Sequence, residues 1–164
     1  MNRLSKVIIL VSIFVIGCKK EKSFPVTPVI AYKDFVTWPD SITGVLTFTF
    51  TDGDGDLGAE SESADPNLFI DYYELENGNW KQIFLNSLGQ EDPNGDPVKF
   101  EAIIPYVDIG GEPRAIEGEI AHNFSVAAFY TNSTNDTFRY VFYIKDRAGN
   151  KSNVVTTPDL IKLN

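Results

Sequence analysis

The sequence predicts an all-β fold, an antiparallel sandwich over residues 29–164, and three observations carry that expectation. Short apolar runs alternate with polar residues at a period of two. Clusters of Gly, Pro, Asn and Asp punctuate them at short intervals, and no long amphipathic helical pattern follows residue 17. Apolar residues make up 43% of the 164-residue chain and aromatics 13%, enough for a core and too many for a disordered tail.

Residues 1–17 read as an export signal, with Arg3 and Lys6 ahead of an apolar run from Val7 to Ile16 that is too short to span a bilayer. Val15-Ile16-Gly17-Cys18 resembles a bacterial lipobox, with Ile16 where Ala or Ser is commoner. That resemblance implies cleavage before Cys18 and attachment of a diacylglyceryl group to its sulfur, and acyl chains in that number give stable membrane attachment. Lys19-Lys20-Glu21-Lys22 resembles the charged tracts that direct Bacteroidota lipoproteins to the outer face of the outer membrane, although those tracts are usually more acidic. Residues 18–28 are thus expected to be a lipidated cysteine and a flexible tether, with Pro25 and Pro28 excluding a central strand.

In the body of the chain, 29–38 is apolar and aromatic, a first strand that breaks at Pro39-Asp40. Over 43–51, Leu46, Phe48 and Phe50 alternate with Val45, Thr47 and Thr49 in the clearest strand pattern of the chain. Strands over 68–75 and 80–85 flank Glu76-Asn77-Gly78-Asn79, whose Asn-Gly pair predicts a type I′ hairpin. Residues 86–97 read as a polar loop, 98–104 as a strand, and 115–128 as one long strand or two. Residues 138–145 form a strong alternating strand, and a last one over 152–163 is interrupted near Pro158. Seven to nine short strands so spaced argue for a sandwich of immunoglobulin-like type. The chain has one cysteine, so that sandwich can contain no intrachain disulfide.

The stretch with most chemistry follows the strand over 43–51: Asp52-Gly53-Asp54-Gly55-Asp56-Leu57-Gly58. Two carboxylates about 4 Å apart repel by ~1 kcal/mol in water and ~4 kcal/mol at an intermediate dielectric. A hard cation converts that repulsion into binding, and calcium, with six to eight oxygen ligands and loose geometry, suits the pattern better than magnesium. The bland alternative is a solvated acidic turn. An EF-hand does not fit, because its sixth position is Leu57 rather than Gly and its twelfth is Ser63 rather than Glu. A site built on Asp52, Asp54 and Asp56 must therefore recruit oxygens from elsewhere, with Asp146 first, then Glu60, Asp65 or Asp71. Asp146 is preferred because loops leaving the second and sixth strands of such a sandwich emerge at one end, which would also bring Asn150 close. Glu91-Asp92-Pro93-Asn94-Gly95-Asp96 could pass for a second cation loop, but turn chemistry accounts for it.

Lys145-Asp146-Arg147-Ala148-Gly149-Asn150 resembles the last turn of bacterial immunoglobulin-like and fibronectin-like modules. Together with the lipobox and the acidic loop, it makes the chain similar to small Bacteroidota surface lipoproteins, a group known by location and fold. The resemblance implies a protein anchored in the outer membrane through Cys18, at the cell surface rather than the periplasmic face.

A net charge of −9 disfavours nucleic acid as a partner. Catalysis has little to draw on. The single histidine, His122, lies in a strand-like stretch, and Glu117 with Glu119 offers a glycosidase-like carboxylate pair that reads better as an exposed polar face. The expectation is a non-catalytic module binding a glycan or envelope protein, with Tyr72, Tyr73, Trp80, Phe129 and Tyr130 as ring candidates unless the core claims them. The alternatives are a structural subunit of an outer-membrane assembly and, behind it, a carboxylate-based glycan hydrolase.

Overall fold

The computed structural model describes residues 23–38, 42–61, 64–106, 114–125 and 127–162. The expected signal peptide, Cys18 and the charged tract through Lys22 lie outside them, as do Pro39-Asp40 and the Gly110-Gly111 segment. Eleven strands and no helix run through the described residues. They are β1 (Val29–Thr37), β2 (Gly44–Asp52), β3 (Leu68–Glu76), β4 (Asn79–Gln82), β5 (Phe84–Leu85) and β6 (Asp96–Pro97). The second half holds β7 (Lys99–Ala102), β8 (Ile116–Asn123), β9 (Thr137–Ile144), β10 (Val155–Thr156) and β11 (Leu160–Ile161).

A smaller sheet runs β1-β2-β8 and a larger one β10-β9-β3-β4, with every strand pair antiparallel. β7 shares the edge of β3 with β4, and β11 shares the edge of β9 with β10. The alternation read from the sequence decides which residues face inward. Leu46, Phe48 and Phe50 of β2 are buried between half-buried neighbours, as are Phe138, Tyr140, Phe142 and Ile144 of β9. Their rings meet between the sheets: Phe48 lies 5.3 Å from Phe142, and Phe35 of β1 lies 5.4 Å from Tyr140. Burying one such side chain stabilises the fold by roughly 1.5–3 kcal/mol, so this aromatic layer is the main source of cohesion.

The hairpin between β3 and β4 turns as expected, with positive φ at both Asn77 (49°) and Gly78 (78°). One stretch differs from expectation, and two others, expected as an interrupted last strand and as one strand or two, take definite form. The strand over 80–85 breaks at Ile83, which is 1% exposed and turns into the core, and β5 then pairs with β6 inside what read as a plain loop. Among the described residues of 115–128 there is one strand, β8 (Ile116–Asn123), after which Phe124 folds into the core. The last strand splits because Thr157, just before Pro158, is buried, and its hydroxyl accepts the Tyr140 N–H at 3.1 Å.

Two asparagine side chains stand in for missing peptides. Asn153 accepts from the Ile30 N–H at 2.8 Å and donates to the Ile30 carbonyl at 2.9 Å, tying the start of β1 to the chain before β10. Asn67 does the same at Ile104, at 2.6 and 3.2 Å. Asn153 satisfies both backbone groups of Ile30, and Asn67 holds the Ile104 N–H and shares its carbonyl with the Ala59 N–H.

One charged pair lies in the interior. Lys162 donates to Glu74 at 2.6 Å, with the two side chains 5% and 0% exposed. The Glu74 carboxylate also accepts from the Tyr72 hydroxyl at 2.6 Å, the Asn135 amide at 3.0 Å and the Ser133 hydroxyl. Burial by itself would raise the Glu74 pKa, but these four donors outweigh it and hold the carboxyl below its ordinary value. The pair therefore contributes stability at neutral pH that is lost as pH falls through the depressed value. Replacing Lys162 by Met leaves a buried carboxylate uncompensated and should cost about 3–5 kcal/mol in urea denaturation. The double variant Lys162→Met/Glu74→Gln should recover most of that loss. A single-variant loss below about 1 kcal/mol would show that water reaches the pair.

Candidate metal centre

Asp52 closes β2 and Asp146 follows β9, so each sheet sends one acidic residue to the same end of the sandwich. The loop after Asp52 does not stand out in solvent, because Leu57 is 1% exposed and plugs the end of the core. That anchor draws the flanking carboxylates inward. It also explains why the residue that spoils the EF-hand pattern matters here: the Leu57 N–H donates to Asp52 Oδ2 at 3.1 Å.

The later loop supplies more donors. The Ala148 N–H reaches Asp56 Oδ2 at 2.9 Å, and the Arg147 N–H reaches the Asp56 carbonyl at 3.2 Å. Asn150 holds both oxygens of Asp146, through its N–H at 2.7 Å and its amide at 2.8 Å. Asp52, Asp56 and Asp146 each present an oxygen within 4.8 Å of the others. Asp54 is not in that mutual set, yet its Oδ1, like those of Asp52 and Asp56, is buried without a hydrogen-bond partner.

Electrostatics follow from that crowding. Burial, then the charges of Asp54 and Asp56, push the Asp52 carboxyl up to about 7, against a smaller opposing effect of the Leu57 N–H. Asp56 is also raised, by burial first and then by Asp146 and Asp54, with the Ala148 N–H and Arg147 opposing. Arg147 does not enter the cluster. Its guanidinium lies over the Tyr106 ring at 4.6 Å, donates to the Gly58 carbonyl at 3.4 Å and sits 3.9 Å from Glu60. A set of hard oxygens, close together and short of donors, is suited to a hard cation rather than to a soft or redox metal.

The structure thus brings together Asp52, Asp56 and Asp146 with Asp54 beside them, and makes Asn150 a positioning residue for Asp146. Glu60 and Asp65 are exposed on an open groove of about 530 Å³ beside the cluster. Asp71 is on the outward face of β3, opposite Lys99 and Val141 and three residues along the strand from Leu68 at the acidic end, and is not in the cluster. In the second acidic loop, Asp92 Oδ1 accepts the Asn94 N–H at 2.9 Å and so caps its own turn. Missed from the sequence was the chain before β1. A methyl group on Gly53 would come within 2.4 Å of the Phe24 carbonyl oxygen and 2.6 Å of that of Pro25. The tether therefore lies directly against the acidic loop.

The other candidates divide clearly. Tyr72 and Phe129 are core residues, and Tyr130 is half-buried with its carbonyl accepting from Lys162 at 2.9 Å. Only Tyr73 and Trp80 face outward. Glu117 and Glu119 lie exposed on β8, with Lys33 bonded to Glu119 at 2.5 Å. His122 packs edge-on against Phe124 at 4.8 Å, and burial lowers its pKa.

Fold and site together define a two-sheet β-protein with a buried acidic cluster bridging the sheets at one end. No protein-family model, curated protein or solved structure matches this chain.

The raised Asp52 carboxyl sets a pH dependence of definite sign. Between its ordinary value of 3.8 and about 7, the folded state binds a proton that the unfolded state does not. In chelator, stability should therefore fall as pH rises from 4 to 7. Melting temperatures measured across that range should show the decline in the wild type and a flatter profile in Asp52→Asn. Identical profiles for the two would remove Asp52 as the source.

Proposed function

We propose that this chain is a non-catalytic, lipid-anchored envelope protein whose immunoglobulin-like sandwich carries a structural calcium ion and serves as a binding module. The observation that carries the metal is the fully buried Asp52, whose Oδ1 lacks any donor and is joined by the unpartnered Oδ1 atoms of Asp54 and Asp56. Unpaired buried acceptors cost roughly 1–3 kcal/mol each, more when charged, unless something positive meets them. Calcium is favoured over magnesium because the donors come from two loops without octahedral symmetry. The strand order, β1-β2-β8 facing β10-β9-β3-β4, supports the immunoglobulin-like part of the reading. The lipobox-like Cys18 and the positive leader support the anchor. A second reading, a structural subunit of an envelope assembly, draws support from Val36, Trp38 and Ile42, which are about half exposed around the β1–β2 connection.

Thermal melting in calcium and in chelator tests the ion. At a hundredfold excess over its dissociation constant, a ligand of the folded state alone adds about 2.7 kcal/mol. Asp54→Ala should abolish the shift, and magnesium should give a smaller one; a wild-type melt indifferent to calcium would sink the metal. For the anchor, fractionation should find the wild type in membranes and Cys18→Ala released from them. Retention of the variant would refute lipidation at that position.

A further inference from the structure

We infer that the outward face of the larger sheet is a docking surface for an acidic polysaccharide, with Arg139, Lys145 and Lys151 as its anion-binding groups. The inference rests on reading the domain as a binding module, and it names both the face and the ligand class. The first observation is where these cations find their partners. In a chain with 23 acidic residues and 14 basic ones, three cations on one face lie on rings instead of carboxylates. Arg139 lies 4.2 Å from the Trp80 ring centroid and 5.8 Å from that of Tyr73. Lys151 lies 3.7 Å from Tyr143, and Lys145 lies 5.1 Å from Phe69.

A ring orients a cation without cancelling its charge. The strand registers put these groups on one surface, since Phe69 pairs with Tyr143 and Tyr73 with Arg139 across β3 and β9. Among the described residues, no carboxylate bonds to Arg139, and its Nε is buried without an acceptor. The acidic residues on the strands of this face are Asp71 and Glu101, with Glu101 already engaged by Lys99 at 2.9 Å, while Lys145 also borders the groove that carries Glu60 and Asp65. The strand residues of the face, with Arg139, Lys99, Lys145 and Lys151 against Asp71 and Glu101, are therefore net positive on a molecule whose net charge is −9.

That complementarity selects a sparsely charged polyanion. Arg139 and Lys145 lie six residues apart on β9 and its extension, or about 20 Å, so the cations match charges spaced along an extended chain. Duplex DNA places a phosphate charge every ~1.7 Å and would meet the repulsion of the acidic remainder of the surface. A polyuronate with one carboxylate per disaccharide meets less of it, and its sugars can lie over half-exposed rings such as Trp80 and Tyr73.

Affinity electrophoresis of the purified full chain tests this, in gels cast with hyaluronate or with neutral dextran and in parallel with labelled duplex DNA. Hyaluronate should retard the protein, dextran should not, and added salt should weaken the effect. Arg139→Gln should weaken retention about tenfold, the equivalent of ~1.4 kcal/mol, with an unchanged calcium-dependent melt. Should Arg139→Gln not fold, the double variant Lys145→Gln/Lys151→Gln carries the same expectation. No retardation, equal retardation by dextran, equal affinity for DNA, or full retention by folded variants would each overturn the inference. A calcium-dependent melt without hyaluronate retention would overturn it while leaving the calcium-clamped module standing.

Discussion

Mutual repulsion among Asp52, Asp54, Asp56 and Asp146 is the constraint on which this end of the molecule depends. At an intermediate effective dielectric each close carboxylate pair costs about 4 kcal/mol, and Asp52 has no water to screen it. The fold offsets only part of that cost. One N–H each from Leu57 and Ala148, and two donors from Asn150, satisfy the oxygens that point at backbone. The remaining Oδ1 atoms are left without donors. Because Asp52 belongs to the smaller sheet and Asp146 follows the larger one, whatever neutralises them also ties the two sheets together.

The opposite solution is found at Glu74. It is as buried as Asp52, yet its pKa moves down where that of Asp52 moves up. The difference lies in the donors. Glu74 receives an ammonium, two hydroxyls and an amide, whereas Asp52 receives one peptide N–H and two neighbouring negative charges. The chain supplies its own cation, Lys162, to the first carboxylate and, among the described residues, none to the second. Lys162 also fastens the residues after β11 to the core. Two buried acids in one small domain thus show what a compensated carboxylate looks like, and by contrast what the acidic loop lacks.

Local physics was legible in the sequence, and distant pairing was not. The alternation in β2 and β9 identified their inward faces, because a period of two leaves no other way to bury Phe48 or Phe142. The Asn77-Gly78 turn was equally plain, since few other pairs tolerate two positive φ values. The meeting of Asp146 with Asp52 and Asp56 required a guess at the fold, and the geometry of two loops leaving facing sheets supplied it. The Glu74–Lys162 pair, 88 residues apart, carries no local signal. Nor do the asparagines that bridge Ile30 and Ile104, because Asn153 and Asn67 look like ordinary loop residues until the backbone groups they bond are seen. The ring candidates could not be sorted for a related reason: Tyr72 and Tyr73 differ in sequence by one position, which in a strand means opposite faces.

The placement of the acidic cluster also bears on whether its chemistry is structural or catalytic. The chain has one histidine, and the register between β2 and β8 fixes its distance from the site. His122 pairs with Leu46, while Asp52 pairs with Ile116. Six residues of strand separate them, about 20 Å, too far for proton transfer to anything held by Asp52. The imidazole is also packed against Phe124, with its charged form disfavoured by burial. Around the cluster itself, Asn150 and the Leu57 and Ala148 peptides are donors that do not titrate near neutral pH, and Arg147 turns away to Gly58 and Tyr106. Asp52, the one group there whose proton is poised near neutrality, is fully buried and has no exposed surface on which to meet a substrate. A cation held there would be enclosed by carboxylates from both sheets, with the tether packed against Gly53 beside it. Those surroundings suit a clamp between distant parts of the chain better than a centre that must bind, turn over and release.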